Sequence, residues 1–291
     1  MRAKHLFGKP QAVLTLPVSA YHATIATDED AIYVLTPKAV VRVAAGQEPE
    51  EHALDLGIGP ALTASAVVFW SQGAVWQAPK RGGAPVRLAT VHHQPEYFAA
   101  RGDHFAWVER SEQDRFSIQT LRHARPQTVY SSPGRIDALA VVSNWAFFVE
   151  RPGTTGWRIG GAPLAGASPT FTTTRTGRSP SMLAAWQTDI YYYDGRDFEV
   201  VRLSPDFHRE EAVAEDVVCS PLAVAKRIYC GRVEGIFEIA APHQPARQLA
   251  EVGRSMATSI AANSKLVAWI ADTGRDQLTV QVLETRASSS R

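Results

Sequence analysis

Seven times along the chain a short run of apolar and aromatic residues is closed off on both sides by polar turn-formers. The runs are Ala31-Ile-Tyr-Val-Leu35, Val67-Val-Phe-Trp70, His104-Phe-Ala-Trp-Val108, Trp145-Ala-Phe-Phe-Val149, Asp189-Ile-Tyr-Tyr-Tyr193, Arg227-Ile-Tyr-Cys230 and Leu266-Val-Ala-Trp-Ile270. A strand of small residues and a tight turn precede each run. Turn residues such as Asp28-Glu-Asp30, Arg101-Gly-Asp103, Ser143-Asn144, Thr188-Asp189 and Asn263-Ser264 suit hairpins, because Asn, Asp, Gly and Ser tolerate the required backbone angles. A third strand follows, as in Ala39–Val43, Ala74–Ala78, Phe116–Thr120, Phe198–Arg202, Gly235–Ile239 and Leu278–Val282. A more polar fourth comes after it in Pro85–Ala89, Gln127–Tyr130 and Arg247–Ala250. The alternation of apolar and polar positions fits strands with one buried face, and no helical period is sustained anywhere.

Measured between Tyr33, Phe69, Ala106, Phe147, Tyr191, Tyr229 and Ala268, the repeat averages roughly 39 residues, near the period of a four-stranded propeller blade. The seventh unit stops after its third strand, and a spare strand, Gln11-Ala-Val-Leu-Thr-Leu16, precedes the first unit. Pairing the two closes a ring and removes two sheet edges that would otherwise recruit other chains. The expected fold is therefore all-β: one seven-bladed β-propeller over 1–291 with four-stranded antiparallel blades, its N-terminal strand completing the last blade. The blades fall near 21–57, 58–91, 92–133, 134–177, 178–217, 218–253 and 254–285 plus 11–17.

Net charge narrows the partners. Thirty Lys+Arg against 29 Asp+Glu give a formal +1 over 291 residues, without the basic excess of a nucleic-acid surface. No apolar run approaches the ~20 residues of a membrane span. Residues 1–10 carry the positive charge of a signal peptide without its apolar stretch. Either the protein is cytoplasmic, or an export signal has been removed and it works in the periplasm or outside the cell. Two cysteines alone do not build a structural zinc cage. With a hairpin turn at Val224-Ala225, Cys219 and Cys230 would lie directly opposite each other and could form a disulfide. A slip of one residue undoes that pairing and leaves two buried thiols, so both states stay open.

The second unit carries a more specific pattern. An aromatic strand, a turn, a third strand and then Pro79-Lys80-Arg81-Gly82-Gly83-Ala84-Pro85 resemble the repeat of bacterial YWTD-like propeller proteins. Gly160-Gly161-Ala162-Pro163 echoes the same turn in the fourth unit. The resemblance implies a propeller fold and a binding role, and it carries no catalytic residue across.

In such blades the second-to-third and fourth-to-first connections share one face, which holds the longer loops, and function in β scaffolds tends to sit on loops. There Gly134-Arg135, Gly177-Arg178 and Gly253-Arg254 each put an arginine just before an innermost strand. Arg135, Arg178 and Arg254 are candidates to converge on a carboxylate or phosphate, which guanidinium binds with forked hydrogen bonds. The bland alternative is pairing with neighbouring carboxylates such as Asp137 or Glu150. Tyr21, His22, His93, Tyr97 and Trp157 are candidate partner contacts, since aromatic residues anchor interfaces; packing against blade edges is their alternative. His92-His93 is a poor chelate, because adjacent residues of an extended chain point opposite ways.

The sequence has no Gly-x-Ser-x-Gly elbow, no His-Glu-x-x-His and no phosphate loop. The expected function is a non-catalytic, monomeric binding scaffold for a protein, a peptide or an anionic small molecule, with no cofactor and no metal. A lactonase-like hydrolase, or a sensor domain cut from a larger protein, is the alternative.

Overall fold

The computed structural model describes residues 10–18, 23–53, 57–91, 93–177, 179–252, 257–272 and 277–285. Their regular structure consists of strands in seven antiparallel sheets. From blade 1 to blade 7 the innermost strands are Thr24–Thr27, Ile58–Leu62, Pro95–Arg101, Arg135–Val142, Leu183–Trp186, Leu222–Val224 and Ala257–Ala262. Each packs against the next and the last against the first, so the sheets form a seven-bladed propeller ring. Gln11–Leu16 pairs antiparallel with Leu278–Glu284, Gln11 opposite Val282 and Leu16 opposite Leu278, and completes blade 7 as its outermost strand.

The aromatic repeat has a packing cause. Ala31–Leu35, Ala66–Ser71 and Ile228–Gly231 are buried at every position. A second strand is covered on both faces by the neighbouring blades, so it reads as a continuous apolar run. Exposure rises toward the wet edge, as at Glu50–Ala53, where no position is buried. Each junction between blades has its own apolar core: Tyr33, Leu35, Val67 and Phe69 between blades 1 and 2, and Ile25, Val34, Ala268 and Val280 between blades 7 and 1, where Leu14 and Leu16 of the closing strand join. Stability is therefore spread over nearest-neighbour interfaces.

Blade 4 departs from the repeat. Its third strand runs Gly156–Pro163, so Gly160-Gly161 lies inside a strand and not in the turn expected from the second unit. A Cβ on Gly160 would stand 2.4 Å from Phe148 and 2.7 Å from Phe171, and the bare backbone is what admits both rings. The outer edge of this blade is split into two short pieces, Thr170–Phe171 and Arg175–Thr176.

Cys219 and Cys230 are joined in a disulfide, but the register differs from the one expected. The turn lies at Ala225–Arg227, where the Ala225 amide donates to the Arg227 carbonyl at 2.9 Å. Leu222 consequently faces Cys230. Cys219 sits outside the ladder, in the segment entering the blade, and reaches the second strand from there.

On the face opposite the longer loops, first-to-second turns tie neighbouring blades together. Asp28 Oδ1 accepts the amides of Asp30 and Ala31 at 3.0 and 2.9 Å. Its Oδ2 meets Lys80 Nζ of blade 2 at 2.8 Å. From blade 7, Asn263 Nδ2 donates to Thr27 Oγ1 at 3.1 Å. Burial pushes the Asp28 pKa up, but Lys80 and the two amides outweigh it, and the net shift is downward. Glu29 is lowered as well, chiefly by the Ser264 hydroxyl. A carboxyl depressed by folding adds stability that is full above its unfolded pKa and is lost as pH falls through its folded value. Asp28→Asn is therefore expected to flatten the loss of stability as pH falls below the ordinary aspartate pKa, as read by urea unfolding at stepped pH. An acid limb identical to that of the parent chain would show that the Asp28 charge is not coupled to folding.

Candidate functional site

The loop-rich face carries its best-defined group of polar side chains where blades 3 and 4 meet. Arg135 opens the innermost strand of blade 4 and faces Arg151, the last residue of the second strand. The approach depends on Gly134, whose Cβ would fall 1.9 Å from the Arg151 carbonyl oxygen. No side chain fits there, which gives the Gly-Arg pair at this position a steric reason. The Gly134 amide is also held by Ser132 Oγ at 3.0 Å.

Both arginines converge on Asp137. Arg135 Nε lies 2.8 Å from Oδ1 and Arg151 Nε 2.6 Å from Oδ2, while Arg151 Nη2 donates to Oδ1 at 3.1 Å. Ser179 Oγ, entering from blade 5, donates to Oδ2 at 2.6 Å. One carboxylate thus offsets two guanidiniums, which leaves the cluster with a net positive charge. The Asp137 side chain is 7% exposed and that of Arg135 is 56% exposed. The arginine is anchored on one edge and open to solvent on the other. Tyr97, on the innermost strand of blade 3, stands beside it. Burial is the main cause of its raised pKa; the Asp137 charge adds to the rise, and contact with Arg135 works against it. The phenol therefore stays protonated and able to donate.

Next to this cluster is an open depression of about 630 Å³ lined by Ile58, His93, Glu96, Tyr97, Arg110 and Glu112, among others. Arg110 Nη2 is 2.8 Å from Asp114 and Nη1 is 3.8 Å from Glu96. The rim thus mixes both signs of charge with the apolar surface of Ile58 and Tyr97.

Of the residues singled out in the sequence, the structure brings together Arg135, Tyr97 and His93. Tyr21, His22, Arg178 and Arg254 lie outside the described residues. Trp157 is corrected: it is 1% exposed, within the third strand of blade 4, edge-on to Tyr192 and under the Arg175 guanidinium. A side chain so placed contributes to the core and cannot present itself to a partner. The second arginine of the cluster, Arg151, was not singled out. Its signal was the Glu150-Arg151 pair ending an aromatic strand, where the two residues point to opposite faces of the sheet. Among the described residues there is no group of three or more His, Cys, Asp or Glu side chains that could hold a metal ion, and no helix is long and apolar enough to cross a membrane.

No family model and no curated sequence matches the chain. Solved structures do resemble it in fold. A puromycin-hydrolysing peptidase of Mycobacterium tuberculosis matches all of this chain with 55% of its own, at 14% identity and a TM-score of 0.65. A chain of the mitotic checkpoint complex matches over 96% of this chain and 92% of its own, at 12% identity and a TM-score of 0.63. PorZ, a surface component of the type-IX secretion system of Porphyromonas gingivalis, matches over 97% of this chain at 12% identity and a TM-score of 0.60. This chain spans only 40% of the length of PorZ. At these identities the likeness is one of fold: the chain is a seven-bladed β-propeller.

Proposed function

We propose that the protein is a non-catalytic binding platform whose loop-rich face receives an acidic group of a protein or peptide. The observation that carries this reading is the Arg135–Asp137–Arg151 cluster, in which one half-exposed guanidinium is held in place beside Tyr97 and the adjoining depression. Pre-orienting a guanidinium lowers the entropy lost when a carboxylate docks on it, and the solvent-facing edge of Arg135, whose side chain is 56% exposed, offers that carboxylate donors that Asp137 does not take up. The fold adds a rigid frame and no chemistry of its own: propellers of this kind occur both in a peptidase and in a checkpoint assembly.

Thermal-shift titration with glutarate and with acidic peptides tests the reading. Ligand at about 100 times its Kd stabilises a protein by about 2.7 kcal/mol, which for a chain of this size raises Tm by several degrees. The rise is expected to shrink with salt and to vanish in Arg135→Ala. A shift that persists in that variant would remove the cluster from the site, and steady hydrolysis of esters or lactones would replace binding with catalysis.

A further inference from the structure

Four large apolar side chains are strongly exposed among the described residues, and three of them sit on one side of the loop-rich face. Phe198 is 49% exposed, Val218 49% and Val233 60%. Phe198 belongs to the second-to-third turn of blade 5, Val218 to the connection from blade 5 to blade 6, and Val233 to the second-to-third turn of blade 6. The three segments are bonded to one another. The Val217 amide donates to the Phe198 carbonyl at 2.8 Å. Arg232 Nε donates to the Val218 carbonyl at 2.8 Å, with its guanidinium stacked 4.2 Å above the Phe237 ring. The Cys219–Cys230 bridge fixes the base of the middle segment. The patch is thus held open by its own framework.

Phe198 adds a second sign. Its φ of +57° lies in the left-handed region, where Gly, Asn and Asp are at ease and a bulky side chain is an outlier. An aromatic ring kept in a strained backbone with half its surface open to solvent points to a use other than core packing. The same three segments are acidic: Asp197, Glu199, Glu215, Asp216 and Glu234 lie within three positions of the anchors, against Arg196, which pairs with Asp197 at 3.8 Å, Arg175, which is taken up by Glu210, and the already engaged Arg232. The Glu199 pKa is raised, first by burial and then by Asp197, Glu215 and Asp194, so these carboxylates sense one another.

We infer that Phe198, Val218 and Val233 form a docking patch on blades 5 and 6 for a protein segment that sets an apolar side chain between basic ones. The inference rests on the binding-platform reading above and adds a second contact region of opposite charge to the Arg135 cluster. Apolar anchors inside a charged rim are the usual anatomy of an interface, and the carboxylate rim selects Lys or Arg at the flanks.

A short random-peptide library displayed on phage and panned over the immobilised full chain tests it. Enrichment of peptides with a large apolar residue flanked by Lys or Arg is expected. Their affinity should fall about tenfold or more in Phe198→Gly and in Val233→Asp, weaken with salt, and stay unchanged in Arg135→Ala. Glycine relieves the left-handed strain at position 198, so that variant is expected to melt no lower than the parent, and the Val233 variant provides an independent arm. Apolar-basic peptides that bind both variants as well as the parent would overturn the inference. Enrichment of acidic peptides alone, lost in Arg135→Ala, with no apolar-basic peptides beside them, would overturn it and leave the binding-platform reading standing. No enrichment at all would overturn both.

Discussion

Glu150→Ala is expected to lower the unfolding free energy by about 3–5 kcal/mol, read as a reduced denaturation midpoint and a Tm lower by many degrees. Glu150 is fully buried at the junction of blades 3 and 4, and every donor around it is aimed at its carboxylate. Arg158 gives Nε and Nη2 at 2.7 Å, Tyr130 gives its hydroxyl at 2.6 Å, and the Ser132 hydroxyl completes the set. Removing the anion strands the Arg158 charge, already stacked 3.8 Å over Phe171, with no counter-charge. With its side chain only 26% exposed, that guanidinium stays largely out of water, and the penalty for leaving it unpaired exceeds what the intact pair contributed. Glu150→Gln keeps an acceptor for Tyr130 but turns an amide toward a guanidinium, so an intermediate loss is expected. An alanine variant within error of the parent would mean that this network is not formed in solution.

Deleting residues 1–17 should cost on the order of 4 kcal/mol, from the partly buried Val13, Leu14 and Leu16 and the lost ladder to Leu278–Glu284. The exposed edge of that strand then becomes a template for another chain, so dimers and larger species are expected by light scattering. A synthetic peptide of residues 10–18, added in excess, should restore the Tm of the truncated chain in a saturable way. A truncated chain that melts like the parent and stays monodisperse would show that closure does not depend on this strand.

The blade count was legible because burial on both faces leaves a second strand little room for polar residues, and that strand recurs once per blade. The closing strand was legible for a related reason: an unpaired edge at each end of the chain has one economical partner. What escaped the sequence depends on register or on side-chain direction. The strand at 156–163 starts earlier than its Gly-Trp opening suggests, which moves Trp157 from a loop into the core. The hairpin at Cys230 turns later than Val224-Ala225, because the Ala225 amide closes on Arg227. In the candidate site, Gly134-Arg135 was visible as a motif, whereas its partner Arg151 lies sixteen positions further on and is brought near only by strand pairing. The turn Asp194-Gly-Arg196-Asp197 shows only charge in the sequence, and the exposed Phe198 after it gains meaning only when the Val217 amide ties it to the connection between blades 5 and 6.

Gln11 lies opposite Val282 in an antiparallel ladder, so the two free ends of the ring leave blade 7 on the same side. A force applied between them opens that ladder one rung at a time, as a zipper opens, and does not load all its hydrogen bonds in parallel shear. Anchored by one end and pulled by the other, the propeller gives way at this single seam while the remaining six sheets bear little of the load.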